Sequence, residues 1–192
     1  SCVVELAVVF GKTGKDIQRT EANQYIGGYG AYNNHGFLVH SVMSISFVSL
    51  TKVALAVDMT ARNMQDKAKK SGLPWSAAKG FDTFTPISSM ISKDQIPDPH
   101  NVDLWLTVDN EMRQRGNTSD MIFSIPELIA YVSSIMTLEA GDVMLTGTPK
   151  GVSQLQHGQV VHAGLQLPDV PNTLAELKLL VQNRVGEYAF KP

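Results

Sequence analysis

Cysteine is nearly absent: Cys2 stands alone in 192 residues. That excludes a disulfide framework and a cysteine-built zinc site, and it points to a reducing, intracellular compartment, mitochondrial or cytoplasmic. Charge of one sign is also missing. The 16 basic side chains nearly balance 18 acidic ones for a net −2, so no sequence-wide attraction to nucleic acid or to an anionic membrane is expected. No clean apolar run reaches the roughly 20 residues of a membrane span; the most apolar stretch, GFLVHSVMSISFVSLT, is interrupted by His40 and four serines. The opening SCVVELAVVF lacks a basic lead and a small-residue cleavage site, so it reads as a strand and not as a signal peptide, with natural sequence expected upstream of Ser1. What is present is apolar: 43% of the residues are hydrophobic, enough to exclude wholesale disorder and to build one real core.

The punctuation predicts few helices among many short strands. Residues 3–10 read as a buried strand. The glycine-bracketed GKTGK that follows lacks the spacing of a phosphate loop and reads as a turn. Residues 103–108, DLWLTV, alternate as a strand, and Asp109-Asn110 is a tight turn into a hairpin partner. Ser124 begins a helix to Ile135, with Pro126 early and Glu127 three residues after the cap. VMLTG is a late strand followed by the turn TPKG. Residues 83–91 read as extended, broken by Pro86. No repeat or low-complexity linker divides the chain, so residues 1–192 are expected to form a single α+β domain.

The segment from Asp58 carries the chemistry. Read as one helix from Asp58 to Ser71, it places Asp58, Arg62, Gln65 and Lys69 within about a 60° arc of its surface. The bland reading is a solvated stripe with an Asp58–Arg62 ion pair. Three features favour a site: Asp58 follows the strand-like ALAV, Lys79 lies in an apolar surround where its charged form is disfavoured, and Thr146-Gly147-Thr148 offers N–H groups and a hydroxyl to an anion.

The runs VVELAVV, VDMTARNMQDKAKKSGLPWSAAKGFDTFTPIS, IPDPHNVDLWLTVDNE and RQRGNTSDMIFSIPELIAYVSSIMTLEAGDVMLTGTPKGV resemble the fumarylacetoacetate hydrolase family, closest to its small acylpyruvase and oxaloacetate decarboxylase members. The resemblance covers most of residues 3–165. It implies a mixed β-sheet rolled into a barrel-like core with few helices, usually in a homodimer. It also implies Mg²⁺- or Mn²⁺-assisted cleavage of a carbon–carbon bond next to a carbonyl in small dicarbonyl acids, the metal held by carboxylates in an E-x-E…D pattern. By position, Glu5 and Asp58 match metal ligands, Lys79 the active-site lysine, and Arg62, Gln65, Gly147 and Thr148 residues near the substrate.

Three departures qualify that reading. Val3 stands where the first glutamate of E-x-E belongs, leaving two carboxylates for a cation that tolerates several waters; Cys2 is a poor substitute, pointing to the other face and ill-suited to a hard cation. The lid segment bearing a water-activating His and Glu has no counterpart before Glu5. An apolar insert, at about 30–55, precedes Asp58. The expected function is acylpyruvate hydrolysis or oxaloacetate decarboxylation, with decarboxylation the better preserved because it needs only enolate formation. The alternative is an impaired or non-catalytic relative that acts as a dimeric binding or structural protein.

Overall fold

The computed structural model describes residues 1–26, 52–183 and 185–186. Most of the expected insert therefore lies outside the described residues. Its far end does not: residues 52–55 belong to a core strand. The elements, in order, are strands β1 (Cys2–Val9) and β2 (Lys52–Met59), helices α1 (Arg62–Lys70) and α2 (Ser76–Lys79), strands β3 (Ile91–Ser92), β4 (Asp103–Val108) and β5 (Glu111–Asn117), helix α3 (Ile125–Ile135), and strands β6 (Val143–Leu145), β7 (Val160–Gln166) and β8 (Thr173–Leu180).

They form two four-stranded sheets, ordered β3-β2-β1-β6 and β5-β4-β7-β8. Every strand pairing among the described residues is antiparallel. The expectation of few helices holds; the architecture is two antiparallel sheets packed face to face, not a single mixed sheet closed into a barrel. Facing sheets follow from the residue pattern. Cys2, Val4, Leu6 and Val8 of β1 point with Val53, Leu55 and Val57 of β2 into one cluster, where Leu104, Leu106 and Val108 of β4 and Val161, Ala163 and Leu165 of β7 meet them. Each such Val or Leu withdrawn from water contributes roughly 1.5–3 kcal/mol.

Local chemistry sets the joints. The β4–β5 turn holds Asp109 and Asn110 at φ 52° and 67°, the pair of left-handed residues that a type I′ hairpin requires. At α3 the Ser124 hydroxyl accepts from the Glu127 N–H while the Glu127 carboxylate accepts from the Ser124 N–H, a capping box worth about 1 kcal/mol.

Two expected elements differ. Of residues 83–91, expected to be extended with a break at Pro86, 83–85 belong to a turn with Thr83 at φ 67°. The rest runs beside β2, through the Phe84 and Pro86 carbonyls that accept from the Met59 and Val57 N–H groups and an Ile87–Ala56 bridge, to β3 at Ile91. The helix expected from Asp58 begins only at Arg62. Asp58 and Met59 remain extended because the β1 ladder claims them, Val3 facing Asp58 and Cys2 facing Met59.

Candidate active site

The site grows from the outer face of the first sheet. Strand alternation turns Cys2 into the core and Val3, Glu5 and Ala7 outward, where β2 contributes Ala54, Ala56 and Asp58. This face is itself covered, with Ile87 and Leu145 packed on the alanines. As a result β1 is buried on both sides, and its one charged residue, Glu5, is only 7% exposed. A carboxylate in such a place requires partners. Glu5 Oε2 accepts a 2.7 Å hydrogen bond from the Gly147 N–H; Oε1 has no partner among the described residues. Burial pushes the Glu5 carboxyl above its ordinary value and the nearby charge of Asp58 adds to this, while the Gly147 hydrogen bond and Lys79 act in the opposite direction.

Asp58 closes the end of β2 and pairs with the Lys79 ammonium. Lys79 arrives there because α2 is pinned to the strand–helix junction: the Ala61 N–H donates to the Ala78 carbonyl at 3.0 Å, and Ala78 is buried. Lys79 is therefore a partnered, one-third exposed lysine, not the desolvated lysine in an apolar surround expected from sequence. The Asp58–Arg62 pair of the bland reading does not form. Arg62 instead donates to Gln65 Oε1 at 3.1 Å on the first turn of α1; Gln65 is buried and Arg62 exposed. Removing Asp58 from the helix also dissolves the four-residue stripe, and Lys69 stands exposed on α1.

The third component is the stretch 146–149, which runs along the edge of β1. The Thr146 N–H and hydroxyl both donate to the Leu6 carbonyl, at 3.1 and 2.9 Å, and the Thr148 hydroxyl donates to the Val4 carbonyl at 2.8 Å. Gln114, 1% exposed, joins them: it accepts from the Val4 N–H at 2.9 Å and donates to Thr148 Oγ1 at 2.9 Å and the Pro149 carbonyl at 2.8 Å. Sequence reasoning missed Gln114. The available signal was a polar residue at an inward position of β5, opposite Leu106.

The structure thus brings Glu5, Asp58, Lys79 and Gly147 together, holds Thr148 one residue from Glu5 on β1, and sets Arg62 and Gln65 at the helix start beside them. Among the described residues no three His, Cys, Asp or Glu side chains gather into a metal cluster, in keeping with Val3 directly opposite Asp58. The two carboxylates still fit a hard cation: both are oxygen donors on one face, and the buried Glu5 Oε1 is unpartnered. The described histidines are engaged elsewhere. His100 Nε2 accepts from the Ile125 N–H, His157 Nδ1 from the Asn183 N–H, and His162 lies against Trp105 and Glu176; His35 and His40 lie outside the described residues. Cys2 is inert, its thiol pushed up to about 11 by burial.

Glu5 and Asp58 share one face of the first sheet, with Lys79 paired to Asp58 there, and comparison with known proteins identifies the family of the chain. The profile of the fumarylacetoacetate (FAA) hydrolase C-terminal domain matches residues 51–175. The chain is 47% identical over 182 residues to the mitochondrial oxaloacetate tautomerase FAHD1 of Arabidopsis thaliana, covering 95% of this chain and 68% of that protein. It is 46% identical over 162 residues to the mitochondrial oxaloacetate decarboxylase of Dictyostelium discoideum, covering 84% and 63%. Among solved structures, yeast ynq8, a fumarylacetoacetate hydrolase family protein, superposes with a TM-score of 0.81 at 32% identity over 100% of this chain and 72% of its own. The fumarylpyruvate hydrolase of Pseudomonas aeruginosa, in complex with Mn²⁺ and pyruvate, gives 0.75 at 27% identity over 95% and 66%. The chain belongs to the fumarylacetoacetate hydrolase family. It spans 60% to 68% of the length of the first curated relatives it matches. No helix among the described residues is long and apolar enough to cross a membrane.

Proposed function

We propose that this chain carries the catalytic face of an enzyme that forms and stabilises the enolate of a small 2-oxo acid, with oxaloacetate the leading substrate and acylpyruvates the second. One observation carries the proposal: a buried carboxylate with a free oxygen, Glu5, shares a face with Asp58, and Lys79 reaches that same face. Glu5 and Asp58 are the residues that would hold Mg²⁺ or Mn²⁺. Such a cation supplies Lewis-acid polarisation of adjacent carbonyl oxygens. Lys79 Nζ, already drawn to the face by Asp58, is positioned to stabilise negative charge as it develops on the substrate's oxygen or carboxylate. The Thr148 N–H, the one backbone donor of 146–148 not taken by Leu6 or Glu5, serves the substrate's anionic end, and Arg62 and Gln65 fix its orientation from the start of α1. Burial of Glu5 excludes water from its carboxylate and strengthens the interactions made there.

Tautomerisation and decarboxylation of oxaloacetate both pass through the enolate and need no activated water. Hydrolysis of an acylpyruvate needs one, and no histidine among the described residues stands near Glu5 or Asp58. Oxaloacetate turnover is therefore expected to exceed acylpyruvate turnover. The names of the oxaloacetate relatives support this order, and their mitochondrial designation favours that compartment; a homodimer is the expected assembly.

The test is spectrophotometric. With Mn²⁺ present, loss of enol oxaloacetate and release of pyruvate are followed beside cleavage of an acylpyruvate. Oxaloacetate turnover that Lys79→Met and Asp58→Asn both abolish is the expected result. Faster acylpyruvate cleavage overturns the order, and no turnover of either substrate overturns the proposal. That last outcome is the signature of the second reading, a binding or structural relative that kept the fold. Val3 facing Asp58, with Lys79 as the counter-ion of that carboxylate, is the observation in its favour.

A further inference from the structure

The 146–149 stretch borders open space. A cavity of about 300 Å³ opens there, bounded by Thr146, Gly147, Thr148 and Pro149 on one side and by Leu104 and Phe123 on the other. A loop beside open space is held in place by hydrogen bonds, and Gln114 makes those on its far half. Gln114 projects from β5 of the second sheet yet is 1% exposed. It ties Val4, the residue between Val3 and Glu5, to Thr148 and Pro149. Close approach is enforced by glycine on both flanks: a Cβ on Gly116 would lie 2.6 Å from Pro149 Cβ, and one on Gly151, at φ 106°, 2.1 Å from the Arg113 carbonyl oxygen.

The geometry points to Gln114 as a positioning residue of the proposed site: it fixes the Thr148 hydroxyl and the 146–149 loop relative to Glu5 without touching the substrate. The hydroxyl bookkeeping follows from its bonds. Gln114 Nε2 can only donate, so Thr148 Oγ1 accepts from it; the single Thr148 proton is then directed to the Val4 carbonyl. Thr148 is left with one lone pair and its backbone N–H for a ligand, both aimed by a side chain from the other sheet. The same bonds anchor the loop to the edge of β1 at Val4, whose N–H and carbonyl are both engaged in this network, while the β1–β2 ladder holds Glu5 itself in place. This assignment rests on the site proposed above, and its role is distinct from that of Glu5, Asp58 and Lys79, none of which Gln114 contacts.

The experiment is a double-mutant cycle read by calorimetry with oxalate, an enolate mimic, in the presence of saturating Mn²⁺. Gln114→Met keeps the side-chain length and removes every hydrogen bond; Thr148→Val removes the hydroxyl alone. Each is expected to weaken oxalate binding by about tenfold, the order of one lost hydrogen bond, while Mn²⁺ binding measured without oxalate changes by less than about threefold. If Gln114 acts through Thr148, the double variant is no weaker than the worse single one, against about a hundredfold for independent effects. Gln114→Glu, which keeps the acceptor for the Val4 N–H but loses both donations, is the variant to use if Gln114→Met does not fold, and the same loss is expected. Additive effects, or oxalate affinity within twofold of wild type in either Gln114 variant, overturn the assignment and leave the site reading standing. A wild-type protein that binds neither Mn²⁺ nor oxalate overturns both.

Discussion

Replacing Glu5 by glutamine should make the metal-free protein more stable at pH 7 while removing its response to metal. In the folded state burial, helped by the charge of Asp58, raises the Glu5 carboxyl above its ordinary value of 4.5. The folded protein then binds a proton that the unfolded chain has already released, so ionised Glu5 costs stability at every pH above its folded pKa. The cost fades as the pH falls through the window between the two values and is gone below about 4.5. Each unit of upward displacement is worth about 1.4 kcal/mol, undiminished by solvent because Glu5 is 7% exposed. Glutamine keeps an oxygen for the Gly147 N–H and carries no charge, so Glu5→Gln should recover this energy. A Tm above that of wild type at pH 7, by about 2–4 °C for each kcal/mol recovered in a chain of this size, is the expected reading. Metal should reverse the order. At a Mn²⁺ concentration a hundred times its Kd, wild type gains about 2.7 kcal/mol, which the variant forgoes. The assay is a thermal melt of both proteins at pH 7 and at pH 4, with and without Mn²⁺. A variant less stable than wild type at pH 7, or one whose advantage is undiminished at pH 4, refutes the reasoning.

Other perturbations bear on the same face. Lys79→Met removes the cation that now neutralises Asp58 and should tighten Mn²⁺ binding by several-fold in calorimetry while abolishing turnover; weaker binding would contradict it. Val3→Glu installs a third carboxylate directly across from Asp58. It should lower the Tm of the metal-free protein, since it replaces a buried valine with a charge among two others, and raise Mn²⁺ affinity by about tenfold or more. Ser124→Ala breaks the capping box of α3 and should cost about 1 kcal/mol in denaturant unfolding, with Mn²⁺ affinity unchanged. Cys2, buried with its thiol near 11, should react with a thiol reagent only under denaturing conditions.

Local signals carried much of the fold. The apolar run of β1, the Asp109-Asn110 hairpin and the Ser124 capping box can be read directly, because each depends on residues next to one another. Asp58 could not be read in the same way. DMTARNMQDKAKK has a helical period from its first residue, and only the ladder with Cys2 and Val3, more than fifty positions away, keeps Asp58 and Met59 extended. The same long-range pairing explains the site. Glu5 is legible only through the resemblance, whereas Asp58 and Lys79 also stand out by their own surroundings, but the contact of Lys79 with Asp58 depends on α2 docking at Ala61. Gln114 carried no motif; its importance arises from the second sheet meeting the edge of the first, which no spacing in the sequence encodes. The antiparallel pairing of both sheets is likewise a property of the strands' packing and not of their individual patterns.

The central claim is that Glu5 and Asp58 hold a divalent cation although position 3 is valine. Calorimetric titration of the folded, metal-free chain with Mn²⁺, beside Asp58→Asn, tests it most directly. Saturable binding of one Mn²⁺ per chain, lost in Asp58→Asn, is the predicted result; no binding by wild type, or binding that survives the loss of Asp58, contradicts the account.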